Sequence, residues 1–301
     1  MTGCQNGPMI DLSKETDELM GRRSMMVLGG SGQIGLPLCQ YLSKQGIKVY
    51  NVDLVLGNEH DLREECRLTD YWMEQVDFVF FLAYDIGGSK YLQTKQGKFD
   101  FLLNNTKIMT NVFSLLKKHN KPFIFASSVM AEMPWSPYGN LKRVGEHFTE
   151  SLGGISTRFW NIYGPESDEL KSHVITDFIK KAKTTSNIDM LTDGTEVRQF
   201  LYAEDCSKIL VTLAEQYEVA KEYKKFDVSN GVWSSINEVA EKVATHFKAK
   251  ITRPSLKDVV QNNSKIEPDL TRISQFWDPT TAVSLDEGIC RMIDYYEEND
   301  D

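Results

Sequence analysis

Residues 24–35 read SMMVLGGSGQIG, and this stretch decides the fold. An apolar run stops at a cluster of glycines and resumes as LPLCQYLSKQG (36–46), where apolar residues return at helical spacing. That is a strand, a tight turn and a helix. Gly46 closes the helix, and IKVYNVDL (47–54) reads as a second short strand ending on Asp53. Together they predict a βαβ unit and therefore a parallel sheet.

Working outward, FVFFLA (78–83), PFIFA (122–126) and ISTRFW (155–160) are further strand-like runs, separated by helical patterns over 105–118 and 141–151. This alternation predicts an α/β fold with a Rossmann-like doubly wound parallel sheet, forming a dinucleotide-binding domain over 24–165. After Tyr163-Gly164-Pro165 the alternation breaks down. A smaller C-terminal domain is expected over 166–301, with the chain returning to the first around 199–230. It would hold a helix over 171–183, a strand in VRQFLY and an amphipathic closing helix in SLDEGICRMIDYYEEN. The polar residues 1–23 are expected to form a flexible arm.

The chain has 301 residues, 41% of them hydrophobic, enough for a sizeable core without disulfides or metal. Its 34 basic residues against 43 acidic ones repel phosphate backbones and anionic lipid, which argues against nucleic-acid or membrane partners. Cys4, Cys39, Cys66, Cys206 and Cys290 show no C-x-x-C spacing, and an odd count suits free thiols in the cytoplasm. No run is long and apolar enough for a signal peptide or a membrane span. No metal site is expected.

Gly29, Gly32 and Gly35 form G-x-x-G-x-x-G between strand and helix. Glycines let backbone approach a pyrophosphate, and the helix opening near Gln33 and Ile34 offers unpaired amides and a positive dipole end. Asp53 follows about 20 residues later, where a carboxylate accepts hydrogen bonds from a ribose 2′-hydroxyl and repels a 2′-phosphate; NAD is expected rather than NADP. The second constellation is Ser127-Ser128 at a strand end, then Tyr138 and Lys142 as Y-x-x-x-K, one helical turn apart. An ammonium beside a phenol favours phenolate, a base suited to taking an alcohol proton while hydride leaves for a nicotinamide.

With GGSGQIG, FFLA, FASS, SPYGNLK, RFWNIYGP, VRQFLYAEDCSK and the closing WDPTTAVSLDEGICRMIDYY in this order, the chain resembles the extended short-chain dehydrogenase/reductases. Within them it resembles the NAD-dependent epimerase/dehydratase group that acts on nucleotide sugars. The resemblance implies that Tyr138 is the base, Lys142 its partner at the nicotinamide ribose and Ser128 the hydroxyl that polarises the alcohol. Asp61 and Leu62 would sit at the adenine, Ala83 along the cofactor and Asn105 near the serine strand. Asn161 and Arg198 would hold the substrate diphosphate, a role a guanidinium fork suits. The smaller domain would mainly bind substrate.

The loop AYDIGGSKYL, with Gly87 and Gly88, and the following LLNNTKIMTNVF look most like the members acting on GDP-linked sugars, GDP-fucose synthase and GDP-mannose 3,5-epimerase. There the loop lies over the sugar, and His173 falls where an acid stands. Departures narrow the chemistry. Val129 and Met130 replace the Asp-Glu of dehydratases, and Met130 replaces the epimerases' cysteine. Glu132 reads as a solvated glutamate. What remains is hydride transfer at sugar C4, by a 4-dehydrogenase or a 4-epimerase, with a GDP-sugar favoured over a UDP-sugar. The rivals are an NADPH-dependent 4-keto reductase and a catalytically silent NAD-binding sensor. A homodimer is also implied, packed through helices 105–118 and 138–151, with Phe113, Leu116, Val144 and Phe148 as a candidate apolar stripe.

Overall fold

The computed structural model describes residues 23–166, 168–258 and 266–299; Cys4 and the expected arm, apart from Arg23, lie outside them. The first strand, β1 (Ser24–Leu28), is buried along its whole length, as a strand covered by helices on both faces must be. It pairs in parallel with β2 (Lys48–Val52) on one side and β3 (Phe78–Phe81) on the other. β4 (Phe123–Ser128) and β5 (Ile155–Phe159) extend the sheet, and β9 (Lys225–Val228) rejoins it after a long excursion. The order is β2-β1-β3-β4-β5-β9. The chain therefore reverses direction beside β1, and the crevice between the ends of β1 and β3 is where such sheets bind ligands.

Two helices carry the site. The helix Phe99–His119 ends at Asn120, whose φ of 48° is the left-handed stop that asparagine tolerates. The helix Pro137–Ser151 starts with proline in its first turn and is capped by Ser136, whose Oγ accepts from Gly139 N at 3.0 Å. Phe113 and Leu116, expected on an apolar outer stripe, are instead buried with Phe81, Phe123 and Phe125 under the sheet. Val144 and Phe148 remain exposed. Phe148 stacks on Phe113 across the two helices, with ring centres 5.2 Å apart, so the stripe divides into a buried half that covers the sheet and an exposed half above it.

A second core gathers Phe178, Ile179, Val239, Val243, Ile289 and Met292. Around it lie β6 (Asn161–Tyr163), β8 (Val197–Tyr202) and β10 (Trp233–Ser235) as one sheet, with β7 (Asn187–Asp189) and β11 (Lys250–Thr252) as a parallel pair. The helix expected over 171–183 spans Val174–Thr185. The closing helix Leu285–Glu298 is capped by Ser284. A Cβ built on its Gly288 would overlap the Tyr163 hydroxyl, and Tyr163 is 2% exposed, so neither can move aside. Gly288→Ala should therefore lower unfolding free energy by roughly 1–3 kcal/mol, the usual penalty of overpacking, read from the denaturant midpoint. An unchanged midpoint would show that this helix end is loosely packed.

Cys39, Cys66, Cys206 and Cys290 form no disulfide. Among the described residues no helix is long and apolar enough to cross a membrane, and no cluster of histidine, cysteine and carboxylate side chains could hold a metal.

Candidate active site

The turn after β1 is a backbone cradle. Gly29 has φ +84°, and a Cβ there would stand 2.7 Å from Ala83 N, so the turn and the end of β3 touch through backbone alone. A Cβ on Gly35 would overlap the Gly29 carbonyl. Gly32 is under no such constraint, whereas Gly30, which the motif spacing passed over, presses on the Asn51 side chain. The helix begins at Gly35 with Ile34 as its cap residue, slightly later than expected. Gln33 Nε2 is buried and makes no hydrogen bond among the described residues. A buried donor beside a glycine turn and a helix N-terminus fits an anionic pyrophosphate.

Asp53 sits at the end of β2. Its two carboxylate oxygens accept from Ser31 N at 3.0 Å and Val55 N at 3.2 Å, which fixes the carboxylate at the cradle's edge. Asp61 is clamped by Arg63, which donates from Nε at 2.8 Å and from an outer guanidinium nitrogen at 2.7 Å, and this holds the Asp61 carboxyl below its ordinary value. Leu62 is buried, and its carbonyl accepts from Asn111 at 2.9 Å.

Ser128 ends β4 with its Oγ accepting from Met130 N at 3.2 Å, leaving its own proton to donate. Tyr138 is buried in one apolar cluster with Val129, Met130 and Trp160. Burial pushes its phenol well up, and a hydrogen bond with Ser128 works against that. Lys142 Nζ donates to the Ala126 carbonyl at 2.7 Å and lies 5.8 Å from the Tyr138 ring centre. Burial pushes the ammonium down, opposed by the charge of Glu146. The sequence expectation counted only the attraction between ammonium and phenolate. Desolvation, which acts against both charged forms, is the term that folding adds.

Asn105 is buried and pins the loop after β3 from both sides, accepting from Asp85 N at 2.7 Å and donating to the Asp85 carbonyl at 3.1 Å. Gly87 and Gly88 pack on the segment 171–173: Gly88 N donates to the Lys171 carbonyl at 2.9 Å, and a Cβ on Gly88 would stand 3.1 Å from His173 Cα. Lys171 Nζ reaches back to Asp85 at 2.9 Å. His173 caps its helix and is held by Glu166, with Nδ1 to carboxylate at 2.6 Å and backbone N to carboxylate at 2.9 Å. This contact with His173 draws the Glu166 carboxyl below its ordinary value against the cost of burial.

Glu132 is exposed, as expected of a solvated glutamate, but it is also ion-paired. It pairs with Arg158 on β5 and with Arg143 at 3.3 Å. Arg158 also grips Glu146 through Nε at 2.6 Å and an outer nitrogen at 2.7 Å, and Glu146 accepts from Ser127 Oγ at 2.6 Å. Arg158 carries no motif signal beyond its place in RFWNIYGP; only the pairing of β4 with β5 brings it opposite Ser127. Asn161 opens β6 beside Phe200. Arg198 is buried on β8 and paired with Asp258.

Sheet order, glycine cradle and the Ser128, Tyr138, Lys142 cluster together define a Rossmann-like enzyme of the extended short-chain dehydrogenase type. Over residues 25–229 the chain matches the NAD dependent epimerase/dehydratase family. The chain belongs to that family, and its cofactor is NAD. It is 24% identical to a putative GDP-L-fucose synthase 2 of Arabidopsis thaliana, over 91% of this chain and 92% of the relative. It is equally, 24%, identical to a putative UDP-glucose 4-epimerase of Methanocaldococcus jannaschii, over 91% of this chain and 99% of the relative. An epimerase structure from Methanothermobacter thermautotrophicus superposes with a TM-score of 0.78 at 19% identity, covering 96% of this chain and 97% of that one.

Proposed function

We propose that the protein oxidises C4 of a nucleotide-linked sugar, releasing the 4-keto sugar as a 4-dehydrogenase or returning hydride to the opposite face as a 4-epimerase. The observation that carries this reading is the Ser128, Tyr138, Lys142 cluster without a second acid or base in the turn that follows it. Val129 and Met130 are buried hydrocarbon and thioether, and Glu132 is held by Arg158 and Arg143. Nothing in that turn can expel water or invert a carbon by proton exchange.

NAD, when bound, supplies the hydride acceptor. The glycine cradle and Gln33 bind its pyrophosphate, Asp53 its adenosine ribose, Asp61 and Leu62 its adenine, and Lys142 its nicotinamide ribose, with Ala83 along its path. Ser128 donates a hydrogen bond to the sugar oxygen, and Tyr138 Oη removes the hydroxyl proton as C4 gives up hydride. Gly87, Gly88 and His173 border the sugar, and Asn161 and Arg198 take the diphosphate. That last step requires Arg198 to exchange Asp258 for phosphate oxygens, a like-for-like swap of anions. A GDP-sugar is favoured over a UDP-sugar by the likeness of the 83–92 loop to the enzymes that act on GDP-sugars. The protein is read as a cytoplasmic homodimer joined through the helices Phe99–His119 and Pro137–Ser151, whose outward apolar residues are Phe99, Leu103, Val144 and Phe148.

The test is incubation of the NAD-loaded protein with a panel of GDP- and UDP-linked hexoses, following NADH absorbance and separating products by chromatography. Lasting NADH marks a dehydrogenase, and a C4-inverted sugar marks an epimerase. A panel with neither, or protein that takes up only NADP, would overturn the proposal.

A further inference from the structure

Tyr84 directly follows Ala83 in the loop AYDIGGSKYL, where the sequence alone assigns it no role. Its ring centre lies 3.5 Å from Lys142 Nζ, closer than the Phe125 ring at 5.0 Å or the Tyr138 ring at 5.8 Å. Three aromatic rings thus lie within about 6 Å of the ammonium, and Tyr84 also meets Tyr138 edge to face, with ring centres 5.8 Å apart. The placement is built in: Asn105 fixes the backbone of Asp85 next door, and the Tyr84 hydroxyl points to Met109 Sδ at 3.8 Å, away from the catalytic phenol.

We propose that Tyr84 is a positioning residue, whose ring face holds the Lys142 ammonium charged and in place for the ribose of NAD and for Tyr138. This rests on the reading of Lys142 as a cofactor residue given above. A buried lysine tends to lose its proton, and a neutral amine neither attracts a phenolate nor binds ribose as strongly. A carboxylate at position 84 would keep the charge but would occupy the N–H donors. An aromatic face stabilises the cation through its quadrupole and takes no hydrogen bond in return. One of the three donors is spent on the Ala126 carbonyl, so two remain for ribose hydroxyls.

The groups that bear on the charge of Lys142 come from each neighbouring element. Its own helix gives Tyr138 and Glu146, and Glu146 is shared with Arg158 of β5 and Ser127 of β4. β4 also gives Ser128. The loop after β3 gives Tyr84 and Asp85, the latter engaged by Lys171, Tyr91 and Asn104. The helix Phe99–His119 gives the uncharged Asn105. Tyr84 is the aromatic face nearest the ammonium, so its removal should be felt there first.

The test is calorimetric titration of the full-length protein with NAD across the neutral to alkaline range, a measurement that needs no sugar substrate. In the wild type, affinity falls on the alkaline side as Lys142 loses its proton. Tyr84→Leu and Tyr84→Met should move that fall to lower pH by about one and a half units, the roughly thirtyfold value of a desolvated cation–π contact. Tyr84→Phe keeps the ring and should track the wild type; circular dichroism confirms that each variant is folded. If the fall is lost in Lys142→Met but unmoved in folded Tyr84→Leu or Tyr84→Met, the proposal is overturned while the cofactor reading stands. If Tyr84→Phe shifts as far as the other two, the hydroxyl matters and the ring-face account is wrong. A fall that persists in Lys142→Met overturns both.

Discussion

Tyr138→Phe should lower turnover by about 10²–10⁴-fold, the range expected for loss of a positioned acid–base group, and leave NAD affinity nearly unchanged. In the proposed mechanism the Tyr138 phenolate takes the proton of the sugar hydroxyl, and phenylalanine removes that oxygen without disturbing the ring. The ring's packing against Tyr84, Met130 and Trp160 is apolar and survives the change. Folding and cofactor binding should therefore hold while the chemical step fails. Because burial raises the phenol against the Ser128 hydrogen bond, wild-type turnover should climb with pH as phenolate forms. The residual rate of Tyr138→Phe should lack that climb. Turnover and NAD titration, measured on the sugar identified in the panel, decide it. Full activity in the variant would remove the phenol from the chemistry.

Arg158→Met should cost about 3–5 kcal/mol of stability, the range for removing one partner of a buried ion pair. Arg158 is 7% exposed and is the cation that neutralises Glu146, whose side chain is 12% exposed. Methionine fills much of the volume and leaves Glu146 buried without its counter-charge. Glu132 is closer to solvent and can rehydrate, so most of the loss falls on Glu146. The double variant Arg158→Met, Glu146→Leu should recover much of the stability, because it removes both charges together. Equilibrium denaturation of wild type, single and double variants measures this. A single variant no less stable than the double would show that the pair is not effectively buried. Recovery of stability need not restore activity, since Glu146 also anchors Ser127 beside Ser128.

The glycine turn, the alternation of strand and helix, Asp53, Ser128, Tyr138 and Lys142 were all legible in the linear sequence. Each reflects a local requirement: backbone approach at a turn, burial of a strand on both faces, a carboxylate at a strand end, two side chains one helical turn apart. Strand ends were legible only to within a few residues, because pairing partners set them. The short strands β6, β7, β10 and β11 carried too little periodicity to be told from loop. The ion pair of Glu132 was not legible because its partner, Arg158, lies 26 positions away and meets it only once β4 and β5 are paired.

What the sequence by itself determined is therefore the parallel α/β fold, the family and the candidate set Ser128, Tyr138 and Lys142. What only the tertiary structure decided is the state of that set. Desolvation pushes Tyr138 and Lys142 away from their charged forms; Glu146 on the same helix bears on that charge, and Arg158, Asn105 and Tyr84, distant in sequence, surround it. Motif residues are specified by local geometry, which a short stretch of chain carries. Charge states are specified by burial and by through-space neighbours, which exist only after strands far apart in the sequence have come together.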